Sequence, residues 1–288
     1  MGTSIVIGRR GSGGDGYRED LPLDRDLDGP IIVDLASVGW CHPMFAVRLR
    51  MFIDWHLLAG NAVTVLSPTS TSVAGHFAAM GVFAGLPELV ISDVRPPHLL
   101  DTSSVLPVRR LASYHDVEDA AADATEVLGQ QSRALAAWGG AAHMAISELC
   151  DNAIQHGKNE LGAYVAADRV LEPARAFRLA IADLGIGIPE HIRARYPEWQ
   201  DDAAAIGRAL ERGVTGTGDP HRGNGFAEVF STALDNRLVR AHSAAVVDIR
   251  SAKGRVSVEL VGGVKKVETP RVVRPRRGTW ITYTVTSV

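Results

Sequence analysis

The chain has 288 residues, 46% hydrophobic and 22% charged, with 30 Lys plus Arg against 33 Asp plus Glu and a formal net charge of −3. This composition excludes a mostly disordered or fibrous chain, and the length suffices for two domains with separate cores. The balanced charge supplies no overall pull toward nucleic acid or an anionic membrane.

Residues 1–28 hold the glycine-rich stretch Gly8-Arg9-Arg10-Gly11-Ser12-Gly13-Gly14-Asp15-Gly16. It lacks the Gly-Lys-Ser/Thr ending of a phosphate loop, and no apolar signal-peptide core precedes it, so a flexible arm is expected. Ile31-Ile32-Val33-Asp34-Leu35 reads as a buried strand, the first ordered element. Pro43 suits a first helical turn. Met44, Val47, Met51, Trp55 and Leu58 then recur at three or four residues and mark one helix face over 44–58. Gly60-Asn61 stops that helix. A second strand is expected at 62–66, a short helix at 72–80 and a further strand at 86–91. Strand, helix, strand, helix implies a parallel-leaning α/β unit. The prolines within 95–113 place a linker there, and a helical pattern follows over 116–137. Cys41 and Cys150 lie far apart in apolar stretches, which points to buried free thiols in a reducing cytoplasm. No apolar run reaches the ~18–20 residues that span a bilayer.

The second half carries the chemistry. In the helix expected at 141–156, Ala142, Ala145, Ile146, Leu149 and Ala153 form an apolar stripe, and Glu148 and Asn152 stand one turn apart on a shared face. A carboxylate and an amide so stacked can address a hydrated Mg²⁺ and a reacting water; a plain solvent-facing pair has the same spacing. The run 177–182 reads as a central strand ending at Asp183-Leu184-Gly185-Ile186-Gly187. A buried Asp there can accept from an exocyclic amine while the glycines let the backbone approach a flat ligand; an Asx turn into a glycine hairpin is the structural alternative. Gly216, Gly218, Gly223 and Gly225 precede a helical pattern at 226–234, where free N–H groups could meet phosphate. Strand-like runs follow at 246–250, 255–261 and 280–285, the last opened by Gly278-Thr279. Lys265-Lys266 and the basic cluster at 271–277 lack interleaved aromatics and read as a solvated loop, not a nucleic-acid surface. His115 reads as an ordinary exposed histidine.

Four of these segments, in order within about 116–288, resemble the GHKL or Bergerat-fold ATP-binding superfamily. Glu148-Leu149-Cys150-Asp151-Asn152-Ala153-Ile154-Gln155-His156-Gly157 is similar to its N box, Asp183-Leu184-Gly185-Ile186-Gly187 to its G1 box, Arg222-Gly223-Asn224-Gly225-Phe226 to its G2 box, and Gly278-Thr279 to its closing element. The resemblance implies that Asp183 binds the adenine amine with help from Thr279, that Asn152 binds Mg²⁺, and that Glu148 is the general base. It further implies that Gly185 and Gly187 shape the adenine pocket, that Gly223 and Gly225 contact phosphates, and that 189–220 forms the lid. With Glu148 four before Asn152, the closest likeness is to the anti-sigma-factor serine kinases.

The first half resembles the STAS domains of anti-sigma-factor antagonists through Asp34-Leu35-Ala36-Ser37-Val38, the following helix and a strand ending near Pro68. Where those antagonists carry Asp-Ser-Ser-Gly, this chain has His42-Pro43-Met44-Phe45, without the phosphoacceptor serine. The expectation is an α/β protein: an arm at 1–28, a STAS-like α/β domain at 29–110 and a GHKL α/β sandwich with a mixed sheet at 111–288. Its implied cofactors are ATP and Mg²⁺. Its implied activity is a serine/threonine kinase or ATPase acting on a regulatory protein of the sigma-factor or antagonist type, in the cytoplasm, with neither nucleic acid nor membrane as partner and a homodimer allowed. An ATP-gated binding module without phosphoryl transfer and a simple ATPase are the alternatives.

Overall fold

Short β-branched runs build a small parallel sheet at the start of the chain. In the computed structural model, which describes residues 3–6, 21, 27, 29–87, 104–129, 133–156, 160–170, 175–214, 225–268 and 271–287, β1 (Thr3–Val6) pairs in parallel with β2 (Ile31–Asp34). After α1 (Pro43–Leu58), β3 (Val63–Leu66) pairs in parallel with the other edge of β2, as the strand–helix alternation implied. Order therefore begins within the segment expected to be a flexible arm: Ile5 and Val6 suit a strand, and β2 offers a free edge to receive them. α2 (Thr71–Ala79) closes this unit. The strand expected at 86–91 falls outside the described residues from 88 onward.

β4 (Val105–Leu111) occupies the expected linker and crosses the expected boundary at 111, because it belongs to the second sheet. Pro107 sits where the register shifts between Leu106 and Arg109, an edge-strand irregularity in which the missing N–H is tolerated. The helix expected to run to 137 is split into α3 (Tyr114–Gly129) and α4 (Arg133–Ala136), and α5 (Gly139–His156) follows. Next come β5 (Ala163–Val170), β6 (Ala176–Asp183), α6 (Ile188–Arg193), α7 (Asp202–Ala209), α8 (Gly225–Asp235), α9 (Arg237–His242), β7 (Ser243–Val261), β8 (Val264–Val267) and β9 (Arg271–Ser287).

The second sheet has the order β4-β5-β6-β9-β7-β8. Its pairings are all antiparallel, which corrects the expected mixed sheet: β5 and β6, and β7 and β8, follow each other through short connections that reverse direction. The runs expected as two strands at 246–250 and 255–261 are one long strand, β7, with irregular register around Ala252 and Gly254. The basic stretch 271–277 is strand as well, not loop.

Both faces of this sheet are buried at β5 and β6. One carries Val165, Leu179, Ile181, Val247, Ile249 and Ile281 into a core with α3, α5 and α8. The other carries Tyr164, Ala166, Ala180, Ala182 and Trp280 into the core of the first half. The two expected separate cores thus share one sheet as a common wall. The helix α1 lies between the small sheet and the large one, and Phe45, Leu49, Phe52 and Ile53 are buried alongside Val47 and Met51. Leu58, expected on the buried stripe, is exposed. A helix walled on two sides is apolar around most of its circumference, so its single-face periodicity is blurred. Cys41 and Cys150 are buried free thiols, as their surroundings implied. Among the described residues no helix is long and apolar enough to cross a membrane.

Candidate functional site

Asp183 ends β6. The two-residue strand period puts its side chain on the face of Leu179 and Ile181, the face that α5 covers. It is only 6% exposed. Its Oδ1 accepts from the Gly185 N–H at 2.6 Å, and the Thr279 N–H also bonds the carboxylate. Burial pushes its pKa up to about 6 against the opposing effect of those two backbone donors. An ionised carboxylate has about four lone-pair sites, so two donors leave acceptor capacity for a third partner.

β9 supplies the other side of the corner. Gly278 has φ +74°, and a Cβ there would overlap the carbonyl oxygen of Asp183. Gly187 has φ +81°, and a Cβ there would lie 2.6 Å from Ser251 Oγ. Both positions therefore need glycine for backbone conformation and close strand packing. Ser251, fully buried, ties the parts together. Its hydroxyl donates to Gly278 O at 2.8 Å, accepts from Ile188 N–H at 2.9 Å and lies 3.3 Å from Thr279 Oγ1. Sequence reasoning missed Ser251. The signal was available: Ala245, Val247 and Ile249 alternate into the core, and Ser251 is the polar residue that continues the series.

The structure thus joins Asp183, Gly185, Gly187 and Thr279 in one hydrogen-bonded corner. Glu148 lies half-buried on α5, which packs against β6. Asn152 is one turn further along α5, with its side chain outside the described residues. Gly225 opens α8, which packs on α5, while Gly216, Gly218 and Gly223 lie outside the described residues.

No protein-family model and no curated protein matches this chain.

The expected lid at 189–220 is packed down as far as Val214. Ile192, Ala205 and Val214 form a small core of their own, with Tyr196 and Trp199 against it. The carboxylate of Asp202 pairs with Arg193 and accepts from Lys253 N–H at 2.8 Å, and Gly254 lets β7 pass against the start of α7. Residues 189–214 are therefore a buttress on β7; 215–224 lie outside the described residues. Among the described residues no group of three or more His, Cys, Asp or Glu could hold a metal ion. A Mg²⁺ held by one amide and a ligand's phosphates needs no such group. His115 is exposed and 3.6 Å from Asp119 on the same helix.

Proposed function

We propose that the second half of the chain binds Mg²⁺-ATP, with the adenine amine on Asp183, and that this site serves regulation of a partner protein. The observation that supports the reading best is the Asp183 corner. A carboxylate nine-tenths buried, oriented by two backbone N–H groups and retaining acceptor capacity, suits an exocyclic amine. The glycines at 187 and 278 hold the corner to the sheet, and Thr279 helps aim the carboxylate. Asn152 is the residue assigned to Mg²⁺, and Gly223 and Gly225 are assigned to the phosphates.

Bound ATP supplies a transferable γ-phosphoryl group. Glu148 takes the proton from the incoming hydroxyl at its carboxylate, which makes the activity that of a serine/threonine kinase, or of an ATPase if the hydroxyl is water's. The first half acts by docking rather than by accepting phosphate. At the start of α1 stand His42, Pro43, Met44 and Phe45, none with a hydroxyl, and Phe45 is buried in the core.

One observation favours the second reading, an ATP-gated module. Arg277 stacks over Trp55 of α1 and donates to Leu184 O, and Trp280 carries Arg48 of α1 on its ring. The residues flanking Gly278-Thr279 therefore touch α1, so a change at the Asp183 corner is felt by the first half.

Incubation with γ-labelled ATP, alone and with cell lysate, separates these readings. Label on a partner protein indicates a kinase, free phosphate an ATPase, and binding with neither the gated module. Unmeasurable ATP binding by calorimetry overturns all three.

A further inference from the structure

The second sheet ends at β8, whose Val264, Lys265, Lys266 and Val267 are all exposed. One edge of β8 pairs with β7, and among the described residues no strand pairs with the other. The register fixes which groups that outer edge presents. Glu268 continues the strand and donates its N–H to Ser257 O at 2.9 Å. Inward and outward bonding alternate along an antiparallel strand, so Val264 and Lys266 also bond inward to β7. Lys265 and Val267 therefore turn their N–H and C=O to the open edge. An edge of this kind is a template for another strand.

The side chains alternate as well. Lys265 and Val267 stand opposite Leu260 and Val258, which belong to the helix-side core. Lys266 and Glu268 therefore share the other face of the sheet. Lysines on an edge strand commonly guard it against further pairing. Here both are folded back onto their own chain. Lys265 Nζ lies 4.4 Å from the Phe230 ring centroid on α8, and Lys266 Nζ lies 3.5 Å from a Glu259 carboxylate oxygen on β7. The edge also presents Val264 and Val267, 64% and 45% exposed.

We propose that β8 is the contact between two copies of this chain, joined edge to edge and antiparallel about a two-fold axis at Val267. The run Lys266-Val267-Glu268 is its own complement. Laid antiparallel on itself, it sets Val267 against Val267 and, on each side of the axis, Lys266 against Glu268 of the other copy. Val267 bonds outward, so its N–H and C=O in each copy meet those of the other at the axis. Opposite charges directly across neighbouring strands stabilise the pair, and like charges destabilise it. An axis at Lys265 or Lys266 sets lysine against lysine, which selects the Val267 register. The contact uses the same patch on both copies and closes at two. It is short, so the association is weak and reversible.

The test is sedimentation velocity of the full chain from micromolar to near-millimolar concentration. Wild type is expected to form a reversible dimer. Lys266→Glu and Glu268→Lys each set like charges across the axis and are each expected to weaken the dimer about tenfold or more. An equimolar mixture of these two variants restores both opposite-charge pairs, and is expected to associate as wild type does. Val267→Pro removes the N–H at the axis, on an edge where proline is tolerated, and is expected to be monomeric. A monomeric wild type overturns the proposal. So does a dimer left unchanged by both charge variants or by Val267→Pro, and so does a mixture of the charge variants no tighter than either alone.

Discussion

The hydroxyl of Tyr164 on β5 donates to Oδ2 of Asp54 on α1 at 2.6 Å, joining residues 110 apart in the chain. Arg50 holds the same carboxylate at 3.0 Å. Tyr164 is fully buried, and burial together with the Asp54 charge raises its pKa well above the ordinary phenol value, so it stays a donor. The bond crosses from the first half to the second inside the shared core. Tyr164→Phe is expected to cost about 1.5–3 kcal/mol, the range for a hydrogen bond to a charged group. Urea denaturation followed by tryptophan fluorescence and by circular dichroism checks it. The midpoint should fall while both probes still report one transition; two separate transitions would show that the halves unfold independently.

Asp183 makes stability depend on pH in a definite direction. Its folded pKa of about 6 lies above the ordinary value of 3.8, so the folded state holds the proton more tightly. The stabilising contribution is complete below about pH 4 and is lost as pH rises through about 6, a change of roughly 3 kcal/mol. Asp183→Asn has no such ionisation. Relative to wild type, the Asn variant should therefore gain up to ~3 kcal/mol between pH 4 and 7 in urea titrations. A pH-independent difference would show that Asp183 is not buried as described. ATP binding, if it uses the ionised carboxylate as acceptor, should tighten over the same interval and weaken about ten- to a hundredfold in Asp183→Asn at pH 7.

Glu148 separates chemistry from binding. Glu148→Gln keeps the side-chain shape and removes the base, so turnover of ATP should fall by about 10²–10⁴ while nucleotide affinity stays within a few fold. Steady-state turnover and calorimetry on the same preparation measure both. Normal turnover in the Gln variant assigns the base to another residue.

Ser251 should matter more than an ordinary strand serine. Ser251→Ala leaves the Ile188 N–H and Gly278 O without the partner they have, at a cost of about 1–3 kcal/mol. Gly278→Ala should be worse, since its Cβ meets the Asp183 backbone and its φ is positive. Thermal unfolding should rank wild type above Ser251→Ala above Gly278→Ala. A wild-type melting temperature for Gly278→Ala would refute the described strand crossing.

The α/β class, the parallel strand–helix–strand start and the Asp183 turn were legible in the sequence, because each is written in local signals. Ile31 and Val33 sit two apart in a β-branched run, Pro43 opens a helix, and an Asp two before a Gly makes an Asx turn. Other features were not local. β5 escaped because a strand buried on both faces shows no alternation, and Ala163 to Ala167 is buried throughout. β4 was hidden by Pro107, which reads as a breaker until an edge strand with an irregular register accommodates it. The buried surface of α1 is wider than its sequence stripe because the second wall against which Phe45 and Ile53 pack lies in strands a hundred and more residues away.

What the sequence determined by itself was therefore the character of each segment, since helix and strand periods, caps and turns depend on residues a few positions apart. Which segments meet was decided only by the tertiary structure. Ser251 faces Thr279, Tyr164 reaches Asp54, and Arg48 and Arg276 share Trp280 because strand order and register bring them there. A register change of one residue would turn Asp183 and Ser251 to the opposite face of the sheet while leaving every local signal unchanged.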